Sequence, residues 1–124
     1  MRMRLLIVDD EHSIRFSLKK FFELRSFTVD AAATAAEARL LLAKERYDVV
    51  ILDIRLEAAS GDVTGLELIG EVRKHSPQAR VVVLSGYLSP ETLERAKGLQ
   101  ADLILNKPQP LAQLELAIKN VLAG

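Results

Sequence analysis

Four short apolar runs, each ending in polar side chains and separated by stretches of helical spacing, constrain this chain more than any other feature. Leu5-Leu6-Ile7-Val8 leads into Asp9 and Asp10, Val49-Val50-Ile51-Leu52 into Asp53, Val81-Val82-Val83-Leu84 into Ser85, and Leu103-Ile104-Leu105 stands just before Lys107. The runs over 4–8, 48–52, 81–85 and 102–105 are apolar on both faces, as parallel strands covered by helices on each side require. Residues 27–31, Phe-Thr-Val-Asp-Ala, alternate instead and predict a half-exposed edge strand.

The stretches between the runs predict five helices. Ile14, Leu18, Phe21 and Phe22 form one core-facing stripe, and Leu111, Leu114, Ile118, Val121 and Leu122 form another. Thr34-Ala35-Ala36-Glu37 is a capping box opening the second helix, with Ala38, Leu41 and Leu42 on its buried face. Leu66, Ile69 and Val72 mark the third helix, over about 65–75. Ser89 before Pro90 and Glu91 starts the fourth, because proline is tolerated in the first turn and an acidic side chain suits the helix dipole there. Strand and helix alternate throughout, the pattern of stacked βαβ units.

If the runs are parallel strands, Asp9, Asp10, Asp53, Ser85 and Lys107 meet at the carboxyl edge of one sheet. Ligands of open α/β sheets bind at that edge, where the strand order reverses. Carboxylates within a few ångströms of one another repel unless a cation sits among them. Mg2+ suits such a set, because it takes hard oxygen ligands and also binds phosphate. The group therefore points to a divalent metal and a phosphoryl group.

Composition narrows the class further. A chain of 124 residues buries roughly 65% of the surface it exposes when unfolded, enough for one domain without a disulfide or a structural metal. The chain has no cysteine, which excludes thiol chemistry and thiolate-ligated zinc and fits a reducing compartment. Seventeen basic and seventeen acidic residues cancel, so no positive field draws the chain to nucleic acid. The apolar run behind Met1-Arg2-Met3-Arg4 stops at Asp9, too short for a signal peptide core or a membrane span. The expected compartment is the cytoplasm.

These residues together resemble the receiver domain of bacterial two-component response regulators. The resemblance rests on Asp9-Asp10-Glu11, on Asp53 closing the third strand, on Ser85-Gly86 closing the fourth and on Lys107-Pro108 after the fifth, and it spans residues 1–124 as a single receiver domain. It implies a flavodoxin-like (βα)5 fold, a doubly wound parallel sheet in the order 2-1-3-4-5. It also implies that Asp53 takes a phosphoryl group from a sensor histidine kinase or a phosphotransfer protein. By the resemblance Asp10 and Asp53 ligate Mg2+ directly, Asp9 acts through water, and the backbone carbonyl of Arg55 completes the protein's share. Lys107, the Ser85 hydroxyl and the Gly86 N–H then hold the phosphoryl oxygens, and positioning with charge neutralisation suffices for this chemistry. The output is a conformational change read by a downstream protein or an attached effector domain; a dimer formed on phosphorylation is a further outcome of the same kind. Such a chain catalyses its own modification without being a turnover enzyme.

Each residue also has a plainer reading. Asp9 and Asp10 are suited to capping the first helix, Ser85-Gly86 to a turn, and Lys107 to a solvated strand end. His12 and His75 have no second histidine at ligand spacing and read as surface residues. Phe16 lies away from the stripe of the first helix, either as an exposed kinase contact or with its ring flat against neighbours.

Several positions depart from the family pattern. Residues 57–64 make the loop after Asp53 longer than usual, with Glu57 in place of proline; the loop either covers Asp53 or bulges into solvent, and the small entropic cost of long loops favours the bulge. Ile104 stands where many receivers carry the aromatic residue that turns inward on phosphorylation, and Gln109 replaces a phenylalanine. Arg55 and Tyr87 match positions flanking the path of the attacking water, where their bulk would shield an acyl phosphate. The opening Asp-Glu-His-Ser-Ile-Arg-Phe resembles receivers attached to transcriptional activators, which leaves open a stand-alone receiver or one domain of a longer regulator.

Two other classes compete with this reading. A haloacid-dehalogenase-type Mg2+ phosphohydrolase also uses an aspartate after a strand, but carries a second aspartate where this chain has Arg55. A degenerate receiver that binds partners without phosphorylation lacks one of the acidic pair, the acceptor or the lysine, and all are present here. No glycine-rich nucleotide loop follows the first strand.

Overall fold

The computed structural model describes residues 2–54, 56, 64–86 and 88–124, Thr64 without its side chain. Five strands and five helices alternate: β1 (Met3–Val8), α1 (His12–Glu23), β2 (Phe27–Ala32), α2 (Ala35–Lys44), β3 (Val49–Leu52), α3 (Thr64–His75), β4 (Arg80–Ser85), α4 (Pro90–Gly98), β5 (Leu103–Asn106) and α5 (Leu111–Ala123). All strand pairings are parallel, in the order β2-β1-β3-β4-β5. The doubly wound (βα)5 fold expected from the sequence is the observed one. Expectations about Arg55, Tyr87 and the 57–63 stretch lie outside the described residues.

Alternation of side chains along each central strand feeds two separate cores. Leu6, Val8, Val50, Leu52, Val81 and Val83 pack with Ala38, Leu42, Leu66, Ile69, Val72 and Ala96, so α2, α3 and α4 cover one face. Leu5, Ile7, Val49, Ile51, Val82 and Leu84 pack with Leu18, Phe22, Leu114 and Ile118, so α1 and α5 cover the other. The four residues of β3 are at most 2% exposed. Each such side chain contributes about 1.5–3 kcal/mol relative to leaving it in water. The central strands are therefore the rigid base from which the residues after them project.

The two edges behave differently from the centre. β2 alternates between buried and partly exposed residues, as its sequence pattern predicts. β5 corrects the reading of 102–105 as a strand covered on both faces, since Leu103, Ile104 and Leu105 are only half-buried and Asn106 is exposed. Its place at the far edge of the sheet, beside β4 alone, is the cause. Apolar composition marks a covered strand but does not distinguish centre from edge in so short a run.

Helix starts follow local chemistry. The Thr34 hydroxyl accepts from the Glu37 N–H at 3.1 Å, and Glu37 Oε1 reaches back to the Ala33 N–H at 3.0 Å, one residue before the cap. The Ser89 hydroxyl accepts from the Thr92 N–H at 3.1 Å. At α1 the cap is Glu11, with no side-chain cap bond. Asp9 is turned to a different use, described below. Phe16 is 55% exposed, stacked on His12 with ring centroids 6.2 Å apart and with Lys20 Nζ over its ring. It is thus both exposed and in contact with its helical neighbours.

Candidate functional site

The backbone ladder runs past the strand ends and aims the functional residues. The Asp9 N–H donates to the Ala32 carbonyl at 3.1 Å, the Asp53 N–H to the Val8 carbonyl at 2.9 Å, and the Lys107 N–H to the Ser85 carbonyl at 3.0 Å. Each residue is therefore held one step beyond a strand at the carboxyl edge, with Asp9 and Asp53 after the adjacent strands β1 and β3, where the strand order reverses. Asp9, Asp53 and Ser85 are 3%, 6% and 0% exposed.

Asp53 stands at the centre of the group. The Ser85 hydroxyl donates to its Oδ1 at 2.8 Å and Lys107 Nζ donates to its Oδ2 at 2.9 Å. Lys107 Nζ also lies 2.7 Å from Asp9 Oδ2 and 3.3 Å from Glu11 Oε1. One oxygen of Asp9 thus meets the ammonium, and the other, Oδ1, accepts from the Glu11 N–H at 2.9 Å. The Asp9 carbonyl accepts from Arg15 Nη1 at 2.8 Å. Asp9 is fixed through its amide, its carbonyl and both carboxylate oxygens. Asp10 is exposed and has no hydrogen bond or ion pair among the described residues, so its carboxylate is available to a cation in solution.

A single ammonium does not neutralise this site. Burial raises the Asp9 carboxyl above the ordinary aspartate range, against the pull of Lys107 and the Glu11 N–H, and the charge of Asp53 adds to the rise. Burial alone would lower Lys107, but its bonds to Asp9 and Asp53 and their charges outweigh that and raise it above the ordinary lysine value. The two shifts have different causes: the neighbouring carboxylates hold Lys107 as a cation, while burial leaves Asp9 undercompensated by the ammonium it shares with Asp53.

The donor set fits a divalent cation. Asp9, Asp10 and Asp53 each offer a carboxylate oxygen, and these oxygens all lie within 4.8 Å of one another. Hard oxygen donors with net negative charge are what Mg2+ and Ca2+ require. The structure brings together Asp9, Asp10, Asp53, Ser85 and Lys107 as the sequence predicts, and Gly86 follows Ser85 as an exposed residue with open space where a Cβ would stand. Arg55, expected to supply a carbonyl, lies outside the described residues.

Three contributors went unnoticed in the sequence. Glu11 is in sequence only a neighbour of the acidic pair, yet its carboxylate reaches Lys107. Arg15 carried no signal, since its contact is with a backbone carbonyl. Gly65, in sequence no more than a helix start, donates its N–H to the Ile54 carbonyl at 2.9 Å, and a Cβ there would collide with the Asp53 carbonyl oxygen and stand 2.6 Å from Ile54 Cα. The start of α3 packs against the Asp53 and Ile54 backbone at a distance only glycine permits.

Comparison with known proteins agrees with this arrangement. The response regulator receiver domain model matches residues 5–119. The alginate biosynthesis transcriptional regulatory protein AlgB of Pseudomonas aeruginosa is 32% identical over 114 residues, 92% of this chain and 24% of that protein. The chain thus spans about a quarter of the length of such regulators. A CheY-like response regulator receiver domain protein from Methanospirillum hungatei superposes with a TM-score of 0.92 at 31% identity, covering 99% of this chain and 95% of that one. A response regulator from Burkholderia pseudomallei, crystallised with a phosphorylated aspartic acid, a calcium ion and citrate, superposes with a TM-score of 0.86 at 29% identity, covering 98% and 69%. Five parallel strands in the order 2-1-3-4-5, together with a family match over nearly the whole length, establish that the chain belongs to the response regulator receiver domain family.

Proposed function

We propose that this chain is a phosphoacceptor switch of two-component signalling, with Asp53 as the acceptor. The observation that carries the reading is the seating of Asp53, one oxygen held by the Ser85 hydroxyl and the other by Lys107, beside the Asp9 and Asp10 carboxylates. The phosphorylated aspartate and the calcium ion of the Burkholderia relative are the corresponding chemistry in a protein of the same family.

In the transfer, an oxygen of Asp53 forms a bond to phosphorus as the P–N bond to a donor histidine breaks. The leaving imidazole nitrogen keeps the bonding electron pair. Lys107, the Ser85 hydroxyl and the Gly86 N–H serve as donors to the phosphoryl oxygens. Asp10, Asp53 and the carbonyl of Arg55 would hold Mg2+, with Asp9 acting through water. When bound, the ion neutralises carboxylate and phosphoryl charge and thereby allows the two anions to approach.

The product adds roughly −1.5 to −2 charges at a site already rich in carboxylates. Movement of the Ser85 hydroxyl toward those charges carries the loop that follows β4. Ile104, half-buried against the core under α2, α3 and α4, supplies no aromatic ring to this rearrangement. The switch therefore works through Ser85 and the β4–α4 connection.

The partners in this reading are a sensor histidine kinase or phosphotransfer protein on the input side and an effector on the output side. The name of AlgB, a transcriptional regulatory protein, favours an attached effector domain. We read residues 1–124 as one receiver unit, an acceptor rather than a turnover enzyme, working in the cytoplasm. No helix among the described residues is long and apolar enough to cross a membrane. Incubation with acetyl phosphate and Mg2+ should add one phosphoryl mass to the intact chain. The adduct should be lost in Asp53→Asn and with the metal chelated; an undiminished adduct in Asp53→Asn would contradict the assignment.

A further inference from the structure

Lys107 has three N–H donors and faces three carboxylates. Asp9 Oδ2 lies at 2.7 Å, Asp53 Oδ2 at 2.9 Å and Glu11 Oε1 at 3.3 Å. The partners differ in kind. The side chains of Asp9 and Asp53 are 4% and 8% exposed, whereas that of Glu11 is 58% exposed. Of the three partners of Lys107, Glu11 alone has its side chain largely in solvent.

From this geometry we infer that Glu11 is a positioning residue that competes with the incoming phosphoryl group for Lys107 and so restrains the phosphorylation of Asp53. The inference rests on the phosphoacceptor reading given above. While the donor approaches, Asp53 is still a carboxylate and keeps its claim on the ammonium. Asp9 is buried, and removing its partner would leave an uncompensated charge in a dry setting. Glu11 is the partner that can be given up, because its carboxylate returns to water and an exposed ion pair is weak. Glu11 also repels the phosphoryl anion directly, as like charges do at short range.

Among the described residues, the carboxylates close enough together to surround one cation are those of Asp9, Asp10 and Asp53, and Glu11 is not in that group. Its effect on the phosphoryl group is thus separable from metal binding when the metal is saturating. A residue that only stabilised the fold would not alter the rate at a fixed folded population. The two roles can therefore be told apart.

The test compares wild type, Glu11→Gln and Glu11→Asp at saturating Mg2+. The readouts are the initial rate of adduct formation on Asp53 from acetyl phosphate and the affinity for beryllofluoride, a phosphoryl mimic. In that reaction an Asp53 oxygen bonds to phosphorus as the bond from phosphorus to acetate breaks and acetate leaves. Glu11→Gln should label about fivefold faster and bind beryllofluoride about fivefold more tightly, the factor one like charge at ~4 Å represents in a water-like dielectric. Glu11→Asp should stay closer to wild type, and the gain should shrink in about 1 M salt, where exposed charges are screened. A Glu11→Gln rate equal to or below a measurable wild-type rate overturns the inference, as does a lower Tm with unchanged rate and affinity. If wild type neither labels nor binds beryllofluoride, the phosphoacceptor reading itself fails and the competition with it.

Discussion

Lys107 Nζ lies 2.9 Å from Oδ2 of Asp53, although the two residues are 54 positions apart. They meet because β3 and β5 are both joined in parallel to β4 and end at the same edge of the sheet. A buried carboxylate placed beside an ammonium and a hydroxyl gains nothing that an apolar core would not supply more cheaply in stability. The phosphoacceptor role proposed for Asp53 gives the arrangement a rationale that stability does not.

Ser85→Ala removes the donor to Asp53 Oδ1 while leaving a side chain small enough for the same buried place. The variant should fold and should label with acetyl phosphate about 10²-fold more slowly, the scale of removing one donor aimed at developing charge. Initial rates from intact mass, measured beside circular dichroism, check both halves. Labelling at the wild-type rate would remove Ser85 from the mechanism.

Gly65 and Gly70 provide a matched pair on α3. Alanine at 65 must push against the Asp53 carbonyl and the Ile54 backbone, so Gly65→Ala should destabilise by about 1–3 kcal/mol and slow the phosphorylation of Asp53. Alanine at the exposed Gly70 meets nothing within 4 Å and should stabilise by about 0.5–1 kcal/mol through helix propensity. Urea unfolding of both variants decides the pair; equal effects would show that the close approach at Gly65 is not maintained.

Asp10→Asn should leave the metal-free fold intact, since the carboxylate has no partner among the described residues, and should weaken Mg2+ binding by at least about tenfold. In wild type, Mg2+ at a hundred times its Kd should add about 2.7 kcal/mol of stability by mass action. Thermal unfolding with Mg2+ and after chelation is the measurement. The gain should be present in wild type, reversed by the chelator, and much reduced in Asp10→Asn at the same metal concentration.

A pH dependence of stability can be read away from Asp53, at Tyr47. Its hydroxyl donates to Asp30 Oδ2 at 2.7 Å, and burial together with that carboxylate raises its pKa well above the ordinary tyrosine range. The folded value lies above the unfolded one, so the stabilisation is complete below the unfolded pKa and is lost as pH rises through the folded pKa. Tyr47→Phe should therefore cost about 1–3 kcal/mol at neutral pH, and the cost should vanish in strong alkali. Phenolate absorbance should show a late-ionising tyrosine in wild type that is missing in Tyr47→Phe. Ionisation of Tyr47 in the ordinary range would contradict the shift.

Much of this was legible in the sequence, because two simple periodicities carry it. Apolar runs such as Val49 to Leu52, alternating with stretches of helical spacing, read as parallel strands, and the polar residue after each run then lies at the carboxyl edge of the sheet. The place of β5 at the edge was not legible, since half-burial of Leu103 to Leu105 depends on the absence of a strand on one side. The roles of Glu11, Arg15 and Gly65 were hidden for a related reason. Each depends on distance to a backbone or side chain brought near by folding, and residue type does not encode that distance.

The central claim is that Asp53 carries the phosphoryl group, and reductive trapping tests it most directly. Borohydride converts an acyl phosphate of aspartate to homoserine, which peptide fragmentation can locate after labelling with acetyl phosphate and Mg2+. The account predicts homoserine at position 53 alone, absent when Mg2+ is chelated. Homoserine at another aspartate, or none from folded protein under conditions that trap an established receiver, would contradict it.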